Sequence, residues 1–184
     1  MRDREVDLGF GEIGHLMDTP GLRVEPIGRH EVLFFCRAGH PLLARDAISV
    51  EDLDVYPFAG VPIPPRVARL FPRNCHIDGA SGNPIPPILL EDLTAARTVV
   101  TGTDAFGLAS PLQIEPWLRS GVLAVVPFRA SWLRLDYGFI FLASRSLSPV
   151  AEAFTAMVRQ IEREVEERNR ALANELFQGL NPGA

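Results

Sequence analysis

Few side chains of this sequence have the types and spacing that catalysis or metal binding requires. A metal site would need histidines, cysteines or carboxylates at ligand spacing, and no such pattern is present. Each histidine is therefore predicted to lie in a loop or on the surface, and both cysteines are predicted to be reduced thiols. These residues are His15, His30, His40, His76, Cys36 and Cys75.

Motifs for nucleophilic catalysis and phosphate binding are also missing. The chain has no G-x-S-x-G elbow and no G-x-x-x-x-G-K-[ST] loop, and GASG at Gly79 to Gly82 predicts only a flexible turn. An acid–base pair could be imagined among Asp7, Glu12, Glu91 and Asp92. The last two fall in the first turn of a predicted helix, where negative charge stabilises the helix dipole. The sequence therefore predicts no enzyme, no metal and no cofactor.

Composition narrows the class of protein further. The chain has 184 residues, of which 47% are hydrophobic, enough for one good core or two small lobes. Its net charge of −5 and scattered arginines disfavour nucleic-acid binding by this chain itself, because phosphates require clustered positive charge. The charged N-terminus lacks a secretory leader, and no apolar run approaches the ~18 residues of a membrane span. A cytoplasmic location is predicted.

The strongest predicted element is a strand followed by a helix near the end of the chain. Tyr137 to Ala143 is rich in aromatic and β-branched residues, which favours a buried strand. Ser148 is a good N-cap and Pro149 suits the first helical position. The apolar residues that follow recur at helical spacing and predict the buried face of an amphipathic helix: Val150, Phe154, Met157, Val158, Ile161 and Val165. The unit suggests a chain that leaves a first subdomain, builds a second and returns.

Other segments alternate between strand and helix patterns. Strands are predicted at Val6 to Phe10, Val24 to Ile27, Val32 to Cys36, Val55 to Ala59, Cys75 to Ile77, Phe106 to Ala109 and Leu123 to Pro127. Helices are predicted after Ser49, from Pro64 or Pro65, at Leu89 to Val100 and at Leu112 to Arg119. This alternation predicts a mostly parallel sheet with right-handed crossovers in the middle region.

The end of the chain has a different pattern. Glu162 to Arg170 is nearly all charged, which predicts a solvated helix face. Leu172, Leu176 and Phe177 have no obvious partner, so they are predicted to pack on a neighbouring chain.

A ligand site is predicted where several strands end. Ligands of two-lobed α/β proteins lie outside the carboxyl ends of the strands, so four segments are expected to converge: Gly9 to Glu12, Gly60 to Ile63, Thr101 to Thr103 and Tyr137 to Gly138. Backbone N–H groups at Gly60 to Ile63, near the helix that starts at Pro64, could hold an anion such as a carboxylate. The hypothesis is a small organic acid or similar polar metabolite. The alternative is that these segments are ordinary turns.

Five segments, in order, resemble the effector-binding domain of LysR-type transcriptional regulators. They are REVDLGFG at Arg4 to Gly11, the paired strands and His-Pro-Leu element at Pro20 to Leu42, SVEDL at Ser49 to Leu53, the helix, glycine turn and strand at Leu89 to Pro111, and the final GFIFLASRSLSPVAEAF. The family's winged helix-turn-helix, linker helix and opening β-α-β-α half have no counterpart in the sequence. The resemblance therefore implies a form that is truncated at its N-terminal side.

The resemblance implies an α/β fold of the type 2 periplasmic-binding-protein-like class. Two Rossmann-like subdomains, at 1–37 with 131–184 and at 38–130, would be joined by two crossing strands. The implied function is ligand sensing in the cleft between them, by a homo-oligomer (a dimer or tetramer) that reaches DNA only through the missing winged helix-turn-helix. The alternatives are a solute-binding protein serving a transporter, or an enzyme on a related scaffold. The expected effector-binding residues are Phe10, Gly11, Gly60, Val61, Pro62, Ile63, Val100, Thr101, Gly102, Thr103 and Tyr137.

Overall fold

The computed structural model describes residues 8–14, 16–61, 65–70, 75–79 and 84–180. Its strands are β1 (Leu8–Glu12), β2 (Leu22–Glu31), β3 (Leu33–Arg37), β4 (Ala59–Gly60), β5 (His76–Ile77), β6 (Pro84–Ile85), β7 (Ile88–Leu89), β8 (Gly107–Ala109), β9 (Leu123–Val125) and β10 (Arg134–Leu142). Its α-helices are α1 (Val50–Leu53), α2 (Pro65–Ala68), α3 (Leu93–Gly102), α4 (Pro111–Arg119) and α5 (Pro149–Leu180), with a 3₁₀ helix at Pro41–Ala44.

Contacts divide the chain into two compact units. Unit 1 consists of residues 1–31 and 134–171, and unit 2 consists of residues 32–133 and 172–184. The structure thus assigns β3 and the end of α5 to unit 2, whereas the sequence analysis has both in subdomain I. The reason for β3 is its pairing, since both of its neighbours, β8 and β9, belong to unit 2.

The sheet of unit 1 has β10 at its centre. Both β1 and β2 pair with β10 in antiparallel fashion, giving the order β1-β10-β2. A register shift between Tyr137 and Gly138 marks a bulge opposite β2. On the other side of β10, Gly138 lies directly opposite Gly11. Among the described residues, β1 has no partner along its second edge.

The sheet of unit 2 is mixed rather than mostly parallel. Strands β4 and β7 are parallel, and a parallel bridge between Phe58 and Phe106 joins β4 to β8. The described order is therefore β7-β4-β8-β3-β9, in which β3 runs antiparallel to both β8 and β9. The strands of the middle region share one direction, as predicted, but β3 inserts among them in the opposite direction. Its two antiparallel pairings, with β8 and β9, make the sheet mixed.

The core of unit 2 also holds the end of α5. Leu33, Phe35 and Val100 are among its fully buried members, and Leu176 and Phe177 pack against this cluster. Leu172 is buried as well. The prediction that these C-terminal apolar residues pack on a neighbouring chain is therefore wrong, because they find their partners in the chain's own second core.

Helix α5 buries a different face from the one predicted. The residues at its buried face include Thr155, Glu162 and Asn169, each seven residues from the next. Of the six residues predicted to be buried, Val158 and Val165 are half-buried and the other four are exposed. Exposed fractions are 79% for Val150, 47% for Phe154, 63% for Met157 and 51% for Ile161. The reason is that the sheet offers polar partners. Glu162 Oε1 accepts from His30 Nε2 at 2.6 Å, and Asn169 Nδ2 donates to the Glu31 carbonyl oxygen at 2.8 Å.

Local capping signals locate the helices well, with one exception. The capping box of Ser49 and Asp52 is confirmed, as is the cap of α5, where the Ala151 N–H donates to Ser148 Oγ. Helix α3, however, begins at Leu93 rather than at Leu89. Leu89 belongs to β7, and Asp92 is the N-cap rather than a first-turn residue. The apolar periodicity continued through the strand and concealed this boundary.

Both cysteines are free, and burial makes them poor nucleophiles. It raises the pKa of the Cys36 thiol to about 12 and that of Cys75 to about 11, where the charge of Asp54 adds to the effect. The thiolate is the reactive form of cysteine. In a Cys75→Ser variant at pH 8, the rate at which iodoacetamide alkylates Cys36 should therefore be more than about a hundredfold lower in the folded protein than in urea. Comparable rates in both states would contradict the burial of Cys36.

Within the described ranges, no helix combines the length and the apolar character needed to cross a bilayer.

Candidate functional site

The carboxyl ends of four strands meet at one edge of the unit 2 sheet. Strands β4, β7, β8 and β9 run in the same direction, so Gly60, Leu89, Ala109 and Val125 end at this edge. The chain passes from β4 outward to β7 and then returns to the other side of β4 to form β8. Strand order therefore reverses between β4 and β8, which is the place where open α/β sheets bind ligands.

Gly60 and Val61 lie at this reversal point. The Gly60 carbonyl oxygen accepts from the Leu90 N–H at 2.9 Å, which fixes the end of β4 against the segment leading to α3. Gly60 is buried, and an added Cβ would lie 3.1 Å from the Phe58 ring. Val61, in contrast, is 42% exposed. A ligand at this edge would thus meet the Val61 side chain and the adjacent backbone.

Pro62 and Ile63, the other predicted residues of this loop, lie outside the described residues, as does Pro64. Helix α2, which follows them, has only four residues. Its dipole is correspondingly small, so the anion-binding role predicted for its N-terminus has little support from helix length.

Ser110 is a residue of this edge that the sequence analysis did not select. It follows β8 directly, is 7% exposed and forms the N-cap of α4. Its N–H donates to Gln113 Oε1 at 3.0 Å. The sequence contains a signal for this residue, because a Ser followed three residues later by a Gln is typical of a helix start, and Ser110 also follows a predicted strand. The positive end of the α4 dipole therefore lies at the same edge of the sheet as Gly60 and Val61.

The predicted segment Val100 to Thr103 does not join this edge. Helix α3 starts at the carboxyl edge and carries the chain back across its ten residues, so its last turn lies at the amino edge of the same strands. Val100 is 0% exposed and belongs to the core. Thr101 Oγ1 and Thr103 Oγ1 donate to carbonyl oxygens of their own helix, and Gly102 is exposed. These four residues therefore do not converge with Gly60.

At the opposite edge of the unit 2 sheet, where β4, β7, β8 and β9 begin, polar contacts cluster around Asp104. We call this the amino edge. Arg37 Nη2 donates to Asp104 Oδ1 at 2.7 Å, and Arg37 Nε donates to the same oxygen at 3.1 Å. The ring of His40 bridges two backbone groups, since Nδ1 accepts from the Leu42 N–H and Nε2 donates to the Asp104 carbonyl oxygen, both at 3.0 Å. The His-Pro-Leu element therefore has a structural role at this edge.

Two histidines are thus buried rather than at the surface. His30 is 7% exposed and His40 is 1% exposed, because each finds hydrogen-bond partners inside its unit. His76 is exposed, as predicted, and His15 lies outside the described residues. In the part of the chain that the structure describes, no group of three or more histidines, cysteines or carboxylates is arranged to hold a metal ion.

The three predicted residues of unit 1 do lie together. Gly11 and Phe10 are on β1, and Phe10 contacts the ring of Tyr137 on β10 with centroids 6.1 Å apart. An added Cβ at Gly11 would meet nothing within 4 Å, and Phe10 is 43% exposed. Because successive strand residues point to opposite faces, the Phe10 and Tyr137 rings share one face of the sheet and the open position at Gly11 lies on the other.

Tyr137 also contacts the buried His30–Glu162 pair. Its ring centroid lies 5.0 Å from that of His30. Burial raises the pKa of the Tyr137 hydroxyl, and the negative charges of Glu12 and Glu162 raise it further. The hydroxyl is therefore protonated at neutral pH and can act as a hydrogen-bond donor.

Comparison with known proteins decides the family. The sequence model of the LysR substrate binding domain matches residues 1–162. The chain belongs to this family. The "SDS degradation transcriptional activation protein" of Pseudomonas sp. (strain ATCC 19151) is 31% identical over 160 residues, which cover 85% of this chain and 51% of that protein. The LysR domain described here thus spans about half the length of the curated relatives that it matches.

Solved LysR regulatory domains share the fold. That of MetR, a LysR family regulator from Neisseria meningitidis, superposes with a TM-score of 0.63 at 16% identity, covering 90% of this chain and 74% of that chain. That of CcmR from Synechocystis PCC6803, solved in complex with 2-PG, also gives 0.63 at 16% identity, covering 88% and 76%. The predicted α/β fold of the type 2 periplasmic-binding-protein-like class, with two Rossmann-like subdomains, is confirmed.

Proposed function

We propose that this LysR domain binds a small anionic metabolite at the carboxyl edge of the unit 2 sheet. The observation that supports the proposal is the reversal of strand order between β4 and β8, with Gly60 and Val61 at the same sheet edge as the N-terminus of α4. The positive end of the helix dipole favours an anionic group there. The CcmR domain, whose structure is named as a complex with 2-PG, supports a small-molecule ligand for the family.

We propose that unit 1, considered by itself, also offers contacts to a small molecule. The rings of Phe10 and Tyr137 contact each other on one face of its sheet, and Gly11 lies on the other face. An aromatic surface with one protonated hydroxyl suits the uncharged part of a small metabolite, because it combines apolar contact with a single hydrogen-bond donor. Pro62 and Ile63 remain predicted contacts, whereas Val100, Thr101, Gly102 and Thr103 are not included.

The biological role follows from the relatives. They are named as transcriptional activators or regulators, which supports a sensory part of a LysR-type regulator over a solute-binding protein for a transporter. We propose that the parent acts in the cytoplasm as a homo-oligomer, contacts DNA through a winged helix-turn-helix outside this chain, and performs no catalysis. Ligand acts by stabilising one of two conformations, to the extent that its affinities for them differ.

A charge introduced at Val61 tests the ligand site. In Val61→Glu, the new carboxylate would repel an anion at the carboxyl edge, so the dissociation constant for the best-binding organic acid should rise at least about tenfold. The measurement is isothermal titration calorimetry, after a thermal-shift screen of small mono- and dicarboxylates and phosphate esters identifies that ligand.

Val122 provides the matched control. It is also an exposed valine of unit 2, at 41%, but it lies just before β9, at the amino edge. Val122→Glu should therefore leave the dissociation constant unchanged within about twofold, because an exposed charge at a distance is screened by salt. Equal losses in both variants, or no loss in Val61→Glu, would place the ligand elsewhere.

A further inference from the structure

The chain passes between the two units at three places. Two of them are single peptide steps at strand ends, at residues 31–32 where β2 ends and at residues 133–134 where β10 starts. The third lies within α5, at residues 171–172, where the helix continues without a break. Because backbone hydrogen bonds run on through a continuous helix, this third passage resists bending more than the two extended ones.

Asn169 lies two residues before the third passage and contacts the first. It is 1% exposed, and its Nδ2 donates to the Glu31 carbonyl oxygen at 2.8 Å. Glu31 ends β2 and is the last residue of unit 1 before the chain enters unit 2. In the sheet it lies opposite Arg134, the residue at which the chain returns to unit 1. Within unit 1, Asn169 therefore joins α5 to the place where the other two passages leave and return.

Unit 2 holds its own ends of the passages by separate contacts. The Val32 N–H donates to the Leu133 carbonyl oxygen at 3.1 Å. Both residues are buried, and so is Leu172, the first residue of α5 in unit 2. Because each unit fixes its own ends, a change in conformation that leaves both units intact has to turn the chain at the three passages.

Other bonds of α5 show that Asn169 is not needed to keep the helix on its sheet. Arg159 Nη2 donates to Glu25 Oε1 at 2.7 Å, and Glu162 Oε1 accepts from His30 Nε2 at 2.6 Å. These two contacts already anchor the helix on β2, whereas the bond of Asn169 lies next to the boundary of the unit. Loss of that bond should therefore loosen the boundary rather than release the helix.

We propose that Asn169 is a positioning residue for the change between the two conformations proposed above. By bonding the end of β2 to α5, it makes unit 1 a single rigid body up to residue 31 and confines the turning of the chain to the three passages. An asparagine suits this position because its short side chain carries an amide that donates to a backbone carbonyl oxygen. The inference rests on the proposed two-conformation mechanism, but it does not depend on which ligand binds.

Amide hydrogen exchange of the full chain, followed residue by residue with NMR, tests the local effect. Asn169→Leu keeps a side chain of similar size and removes the donor. We expect the Val32 amide to exchange about tenfold faster than in the parent chain, because the lost hydrogen bond lowers local stability at the boundary. Amides of residues 139–141, in the middle of β10, should change by less than about twofold. Asn169→Ala serves the same purpose if the leucine variant fails to fold.

Thr155→Val is the matched control. Thr155 is also a buried polar residue of α5, at 2% exposed, but its hydroxyl donates to the Glu152 carbonyl oxygen of the same helix. Its replacement should leave exchange at Val32 unchanged within about twofold. If Asn169→Leu speeds exchange equally at Val32 and at residues 139–141, Asn169 only stabilises unit 1 as a whole and the inference is overturned. Unchanged exchange at Val32 would overturn it as well.

A distance measurement between the units tests the consequence for the conformational change. Nitroxide labels are attached to Met17→Cys in unit 1 and Val122→Cys in unit 2, because both positions are exposed. The background carries Cys75→Ser, and Cys36 is buried and stays unlabelled.

Pulsed electron paramagnetic resonance should then give a broader distribution of distances in Asn169→Leu than in the parent chain. Thr155→Val should give the distribution of the parent chain. An unchanged distribution in Asn169→Leu would overturn the positioning role, even if exchange at the boundary is faster. The proposed ligand site is tested separately at Val61, so a failure there would leave this inference standing.

Discussion

Replacing Glu162 with alanine is expected to lower the free energy of unfolding by about 3 kcal/mol, as measured by urea denaturation followed by circular dichroism. The carboxylate is 9% exposed and accepts from His30 Nε2 at 2.6 Å, so its removal leaves a buried imidazole without its partner. Gly28 shows how closely the pair is packed, because a Cβ there would overlap Glu162 Oε1. The cost therefore combines an unpaired polar group with a small cavity.

Two further variants separate this effect from a general weakening of the helix. Glu164→Ala changes the same residue type two positions along, where it is exposed, and should cost less than about 0.5 kcal/mol. The double variant His30→Leu with Glu162→Leu should be less destabilised than Glu162→Ala alone, because neither polar group is then left unpaired. If Glu162→Ala costs no more than Glu164→Ala, the buried pair does not contribute to stability.

The second large effect is expected at Gly138, at the bulge of β10. A methyl group there would fall well within contact distance of the Glu25 carbonyl oxygen, and it would also meet Ile13 Cδ1. The carbonyl belongs to the paired strand β2, so it cannot move aside as a flexible side chain could. Gly138→Ala should therefore cost about 3 kcal/mol in free energy of unfolding.

Gly11 is a control in the same sheet, because it lies directly opposite Gly138 on β1. Its added Cβ would meet nothing within 4 Å. Glycine within a strand destabilises the folded state relative to alanine. Gly11→Ala should therefore leave the free energy of unfolding unchanged or raise it by about 0.5 kcal/mol. Equal effects of the two substitutions in the same denaturation assay would contradict the close approach of β2 to Gly138.

Local signals made most of the elements predictable. Ser148 with Pro149, and Ser49 with Asp52, mark helix starts through bonds made within four residues, so no knowledge of the fold is needed to find them. The end of α4 is equally local, since Gly121 adopts a φ of 72°. The strand at Leu89 was missed because its partner is Gly60, which is remote in sequence.

The face of α5 could not be predicted from periodicity. One side of the helix is apolar and another carries both polar and apolar residues, and both sides repeat with the helical period. Hydrophobicity alone therefore predicts that the apolar side is buried. The buried side of α5 is determined by its hydrogen-bond partners on β2, which are His30, Glu25 and the Glu31 carbonyl oxygen. These contacts join residues more than 130 positions apart, so no local window contains them.

The candidate site was predictable in part for a related reason. Gly60 and Val61 follow a strand directly, so the carboxyl-end rule locates them without further information. Thr101 to Thr103 form the end of a helix, and the ten residues of α3 carry the chain about 15 Å back to the other edge. Ser110 follows a strand in the same way as Gly60.

The central position of β10 affects the order in which the sheets of the two units can form during synthesis. Strands β1 and β2 are made before the unit 2 strands, yet each pairs only with β10 in the described sheet, and β10 emerges more than 100 residues after β2. The strands of the unit 2 sheet all lie between them in the chain. The unit 2 sheet can therefore form before β10 has been made, whereas the described sheet of unit 1 cannot.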